Sequence, residues 1–217
     1  MSDGPADAGR AARAGAARAG AAGAGRIGVF GGSFDPPHVG HLLVAVDAAE
    51  QLTLDQVLFI PTAAQPLKQG RQATPADVRV AMVEALVGED GRFAVERIEV
   101  DRGGLSYTVD TLATLAERWP GRELVLLAGA DVLGTFARWR EPHRVRQLAT
   151  LVVLTRGEGD AAEVGPDFPG GPPTALPTRR VDVSSTEVRA RLAAGRSIRG
   201  FVPDGVAEII RSAGLYR

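Results

Sequence analysis

Two of the chain's three histidines, His38 and His41, stand three residues apart in the stretch Gly31-Gly32-Ser33-Phe34-Asp35-Pro36-Pro37-His38-Val39-Gly40-His41. Imidazoles at that spacing face one side of a helix if the helix begins near Pro37. Three chemistries compete for them. Metal ligation asks for further ligands: helical zinc pairs are usually four apart with an acid nearby, and the chain has no cysteine. A purely structural use, packing or capping at a turn, is the ordinary fate of a lone histidine, but it leaves the paired imidazoles beside two glycines unexplained. The third use is an anion grip. Gly31 and Gly32 lack a Cβ, so the backbone can turn sharply and approach a bulky anion, and the start of a helix offers free N–H groups and partial positive charge. Neither common phosphate fingerprint is present, because the run reads GVFGGS where GxGxxG would be and no lysine follows as in GxxxxGK[ST]. The imidazoles stand where a P-loop would place its lysine.

A second polar cluster is Val183-Ser184-Ser185-Thr186-Glu187-Val188-Arg189. A serine followed by Glu187 is a helix-cap pattern, but a cap alone does not account for three consecutive hydroxyls and an arginine on the next turn.

The elements that must position these residues alternate between short apolar runs and helical-period segments. Strands are expected at 26–30, 56–60 (closed by Pro61), 93–100, 123–128, 151–155 and 179–183. Helices are expected at 41–52, at 77–87 with its cap near Thr74, at 108–118, from about Val132, and twice at the end. Residues 157–178, rich in Gly and Pro, read as a loop. Continuous apolar strands alternating with helices predict an α/β fold, a parallel sheet covered on both faces. In such sheets ligands collect at the carboxyl ends of the strands, near the switch in strand order. The glycine–histidine stretch directly follows the first strand.

Composition narrows the field. The 217 residues are 45% hydrophobic and 24% charged, with a net charge of −1. No eighteen-residue apolar run marks a membrane span, and a near-neutral chain is a poor non-specific binder of nucleic acid. The lack of cysteine fits a reducing, cytoplasmic interior. Residues 1–25, almost wholly Ala, Gly and Arg, have no amphipathic face and no apolar signal core, and carry Asp3 and Asp7. They read as a disordered tail ahead of one domain, 26–217.

GGSFDPPHVGH resembles the signature of the nucleotidylyltransferase superfamily, G-x-[ST]-F-D-P-x-H-x-G-H, with every defined position filled. VSSTEVR is similar to the same superfamily's [IV]-S-[ST]-T-x-[IVL]-R box. In the middle of the chain, Ser106-Tyr107-Thr108 within LSYTVDTL resembles the SYTxxTL segment of the nicotinate-nucleotide adenylyltransferase branch, and Gly129-Ala130-Asp131-Val132-Leu133 its GxDxL turn. Trp139 and Arg156 fall at that branch's spacing, and GLYR is a common ending in it. One departure stands out. Where the branch often has P-P-H-[KR], this chain reads Pro66-Leu67-Lys68, keeping the cation at Lys68 but not the histidine.

The resemblance implies a Rossmann-like fold and adenylyl transfer from ATP to nicotinate mononucleotide, giving deamido-NAD and pyrophosphate. It implies that His38 and His41 donate to phosphate oxygens. Gly31, Gly32, Ser33, Phe34 and Gly40 would form the nucleotide loop; Ser184, Ser185 and Thr186 would hold the triphosphate, with Arg189 adding charge. Tyr107 and Trp139 would enclose the pyridine ring, core packing being their plainer reading, and N–H groups near Tyr107 and Thr108 would hold its carboxylate as a backbone nest does; Gly129, Asp131, Arg156 and Lys68 would complete the substrate contacts, Asp131 at a ribose or its own loop. Mg²⁺ would arrive with ATP, and a homo-oligomer is compatible with the family. The alternatives are a nicotinamide mononucleotide or phosphopantetheine acceptor, or a nucleotide-binding regulator without catalysis.

Overall fold

The computed structural model describes residues 25–64, 74–156 and 167–217. Lys68 and the proposed tail up to residue 24 lie outside them, as do residues 157–166 of the loop expected at 157–178. Six strands form one sheet: β1 (Arg26–Gly32), β2 (Gln56–Pro61), β3 (Phe93–Val95), β4 (Glu123–Gly129), β5 (Thr150–Arg156) and β6 (Thr174–Thr178). Their order is β3-β2-β1-β4-β5-β6 and every pairing is parallel. The chain runs outward from β1 through β2 to β3, then returns to the other side of β1 with β4. This is the doubly wound, Rossmann-like arrangement, with its switch point between β1 and β4.

Alternate side chains of each strand feed opposite faces. Phe30, Phe59, Leu127 and Leu154 point into a core with α1 (Val39–Gln51), α2 (Ala76–Val87), α6 (Ser185–Ala193) and α7 (Asp204–Ser212). Val29, Leu58, Leu126 and Val153 point the other way, toward α4 (Thr108–Arg118) and α5 (Pro142–Leu148). Apolar residues on both faces explain why the strands read as continuous apolar runs.

Several expected boundaries move. The run 93–100 is a strand only to Val95; Ile98–Arg102 is a short helix, α3. Parallel pairing with β2 ends at Phe59↔Val95, with the Glu96 N–H still donating to the Phe59 carbonyl at 2.9 Å, and beyond it the chain turns into the helix. The helix expected from Val132 is two single 3₁₀ turns, Ala130–Val132 and Phe136–Arg138, before α5 begins. The last strand is Thr174–Thr178, inside the expected loop, rather than 179–183. Arg179 leaves the sheet because its backbone N–H and guanidinium are taken by Asp47 of α1, at 2.8 and 2.6 Å. Thr74 does not cap α2; Pro75 holds the N-cap position, and the Thr74 hydroxyl donates to Tyr216 Oη at 2.9 Å.

Candidate active site

A cavity of about 1100 Å³ opens over the carboxyl ends of β1, β4 and β5, at the switch point. Its size suits a nucleotide-sized ligand. The end of β1 forms one wall. Gly31 is exposed, with open space where a Cβ would stand, whereas a Cβ on Gly32 would meet the Phe34 ring at 3.0 Å. Phe34 turns with φ +46° and buries its ring against Phe30, Phe59 and His41 at centroid distances of 5.8, 5.8 and 5.0 Å. It lines the wall, yet its ring serves mainly to seat His41 in the core.

Helix α1 starts at Val39, two residues before the expected bound of 41 and two after Pro37, so His38 is its N-cap and His41 its third residue. The rings nevertheless meet, centroids 3.8 Å apart and planes inclined by 30°. The His38 backbone N–H donates to His41 Nδ1 at 3.2 Å. A neutral His41 therefore carries its proton on Nε2. Burial lowers the His38 pKa to about 4, and burial together with the nearby His38 holds His41 well below the usual imidazole value. Both rings are thus uncharged at neutral pH, and His38 Nδ1 is buried without a partner. Gly40 makes the stack possible: a Cβ there would stand 2.9 Å from His38 Nδ1 and 3.1 Å from its Cε1.

The hydroxyl-rich segment supports this loop from behind. Ser184 caps α6 by accepting from the Glu187 N–H at 3.1 Å, as the capping pattern indicates, and it alone of the three hydroxyl residues lines the cavity. Ser185 Oγ donates to the Pro36 carbonyl at 2.8 Å. Arg189 donates to the Asp35 carbonyl and, at 3.0 Å, to Thr186 Oγ1. Ser185, Thr186 and Arg189 therefore brace the loop in this structure, where the sequence reading aimed them at phosphate.

At the far end the Ser106–Thr108 turn leads into α4. Ser106 Oγ accepts from the Ala63 N–H at 2.9 Å, and the Ser106 N–H donates to the Ala64 carbonyl at 2.9 Å, tying the turn to the segment after β2. Tyr107, Thr108 and Trp139 line the cavity, with both aromatics half-buried. Each ring already has a neighbour: the Arg140 guanidinium lies 4.9 Å over Tyr107, and Phe136 lies 5.3 Å from Trp139. Gly129 lets the Asp131 carboxylate fold back, since a Cβ there would stand 2.8 Å from Asp131 Oδ1. Asp131 is exposed at the cavity wall. The Arg156 backbone ends β5, paired with Thr178.

Sequence reasoning missed four supporting groups. Arg79 is 2% exposed and donates to the carbonyls of Thr74, Ser33 and Thr62 at 2.8, 2.7 and 2.7 Å. Its signal was a charge flanked by the apolar residues of α2. Tyr216 donates to Asp35 Oδ1 at 2.5 Å, and the Asp47–Arg179 pair fixes α1 to the chain after β6. Hydrogen bonds from Arg179 hold Asp47 below the usual carboxylate range. Glu99, 5% exposed, sits under the Ser106–Thr108 turn.

The family model described as cytidylyltransferase-like matches residues 29–191. A probable nicotinate-nucleotide adenylyltransferase of Gemmatimonas aurantiaca is 52% identical, the match covering 88% of this chain and 92% of that protein. One from Thermus thermophilus is 46% identical, over 88% of this chain and 99% of its own. The fold is similar to a Plasmodium falciparum nicotinic acid mononucleotide adenylyltransferase complexed with NaAD, at TM-score 0.69 and 17% identity, covering 88% of this chain and 97% of that one. Between the shared signature and this extent of identity, the chain belongs to the nicotinate-nucleotide adenylyltransferase family.

Proposed function

We propose that the chain transfers the adenylyl group of ATP to nicotinate mononucleotide, releasing pyrophosphate and forming deamido-NAD. The observation that carries this reading is the stacked His38–His41 pair beside Gly31 and Gly32, set at the switch point of a cavity of nucleotide size. An oxygen of the acceptor's 5′-phosphate bonds to the α-phosphorus as the α–β bridging P–O bond breaks. The acceptor is already an oxyanion, so no side-chain nucleophile is needed and catalysis rests on positioning and charge stabilisation.

His41 Nε2–H and His38 donate to the α- and β-phosphate oxygens as charge builds on them. The Gly31–Ser33 backbone and the Ser33 hydroxyl cradle the chain of phosphates, with Ser184 on the facing wall. Ser185, Thr186 and Arg189 keep the loop in place and present the α6 N-terminus. Tyr107, Thr108 and Trp139 receive the ring, and Asp131 a ribose; Arg156 and Lys68 contribute cations. Mg²⁺ would arrive chelated by ATP and would offset charge on its phosphates. Donors here are N–H, imidazole and hydroxyl, and among the described residues no group of three or more His, Asp or Glu side chains converges to hold a metal. That suits a metal bound by the substrate. Among the described residues no helix is long and apolar enough to cross a membrane, and the reading places the enzyme in the cytoplasm.

Pyrophosphate release measured against nicotinate mononucleotide, nicotinamide mononucleotide and phosphopantetheine tests the acceptor. Turnover confined to the first supports the reading; ATP binding without turnover on any of them overturns it. His41→Ala should lower kcat by a factor of about 10² to 10³ while moving the KM for ATP little, because the contact strengthens in the transition state. A near-normal kcat removes His41 from that role.

A further inference from the structure

Glu99 is a carboxyl the mechanism above does not use, and it lies in the cavity wall behind the Ser106–Thr108 turn. Its Oε1 accepts from the Thr111 hydroxyl at 2.7 Å, and the Arg102 guanidinium donates to that same hydroxyl at 3.3 Å. Its Oε2 is buried and has no hydrogen-bond partner. An ionised carboxylate at so enclosed a position would ordinarily gather donors on both oxygens. Here one oxygen is bare, so the environment favours the neutral acid.

We propose that Glu99 is a specificity-determining positioning residue for the acceptor: kept as an uncharged carboxyl behind the Ser106–Thr108 turn, it joins α3 to α4 through Thr111 and leaves the turn free of the negative charge that would repel a carboxylate on the acceptor's ring. The inference rests on the functional reading above, which brings the acceptor's ring to this turn.

The groups facing Glu99 agree with this. From its own helix comes Arg102, reaching only as far as Thr111; from α4 comes the Thr111 hydroxyl; from the turn comes Ser106, itself held by the Ala63 N–H. Burial raises the Glu99 pKa, and the hydroxyls of Thr111 and Ser106 and the charge of Arg102 oppose that rise without cancelling it. The carboxyl is therefore neutral at low pH and ionises as pH climbs past its raised value. An amide ring carries no charge and is indifferent to that change.

The test uses the full chain, wild type and Glu99→Gln, with kcat/KM for nicotinate and nicotinamide mononucleotide along a series from pH 5 to pH 9 at saturating ATP. Both acceptors carry the same phosphate, so its titration cancels in their ratio, as does any loss of folded enzyme. Glutamine keeps an acceptor for Thr111 but cannot ionise. At the acid end of the series the two enzymes should share the same acid-to-amide ratio within about twofold. At the alkaline end the wild-type ratio should fall about tenfold below that of Glu99→Gln, the size expected for a new charge a few ångströms behind the ring site. Equal ratios throughout the series, or a wild-type ratio already lower at its acid end, overturn the proposal. Should the variant not fold, the wild-type ratio read across the same pH range decides: a fall supports the proposal and a flat profile overturns it. Release of pyrophosphate with neither acceptor overturns the parent reading as well.

Discussion

Two imidazoles whose centroids are 3.8 Å apart cannot both be charged cheaply, and burial already disfavours the first proton. In the unfolded chain His38 would take up a proton near pH 6.5; folded, it does so only near pH 4. Because the unfolded state binds more protons in between, stability is full above about pH 6.5 and falls as pH drops toward 4. The loss is about 3 kcal/mol from His38 alone. Urea melts at pH 7 and pH 4.5 should show it, and His38→Gln should flatten the dependence. Triphosphate brings the opposite field, so ATP binding should draw a proton onto the pair; calorimetry in buffers of different ionisation enthalpy measures that uptake. At this scale the sequence was informative about which residues meet. Spacing and glycine neighbours put His38 and His41 together even though His38 sits outside the helix, at its N-cap. It could not show that both are neutral, since that depends on burial, with Phe34 and Phe30 packed against His41.

Elements hold the site through backbone carbonyls, and substitutions can separate an element's stability from its service to the site. Gly40→Ala adds a helix-favouring residue to α1, worth up to about 1 kcal/mol in an open helix. Its Cβ would crowd the His38 ring at 2.9 Å. The melting temperature should change little while kcat drops at least about tenfold; unchanged kcat would show that the His38 position is not critical. Arg79→Met strips donors from the carbonyls of Ser33, Thr62 and Thr74 together. A loss of about 3 kcal/mol is expected, which for a chain this size lowers the melting temperature by about 10 °C. Element types were largely legible where apolar runs were continuous, as in β2, β4 and β5. FAVERIEV misled because its alternation also fits a strand edge followed by one helical turn, and only the shortness of the pairing with β2 decides. The shift of the last strand to Thr174–Thr178 had no local signal, because Asp47, far away on α1, captures Arg179.

For the whole molecule, parallel strands were readable from order and hydropathy alone, because each strand must bury both faces; the Rossmann-like arrangement came with the family resemblance. We propose one domain from residue 26 onward. Its first strand pairs from Arg26↔Glu123, and the family model begins at residue 29. A chain starting at Gly25 should therefore keep its melting temperature within about 2 °C and its kcat within about twofold; a larger change would give residues 1–24 a part in the fold. What the sequence hid was how distant segments finish the loop. The carbonyls of Pro36 and Asp35 are held by Ser185 and Arg189, and the Asp35 side chain by Tyr216, across separations of 149, 154 and 181 residues. Order of synthesis turns that lacing into a schedule. A ribosome makes the glycine–histidine loop among the earliest parts of this domain and its fastenings among the last. A nascent chain halted after β5 would own every strand that flanks the switch point and still have no shaped nucleotide loop. Competence to grip ATP should then appear late and abruptly during translation, as α6 emerges, and the unfinished enzyme cannot spend ATP before its own framework is closed.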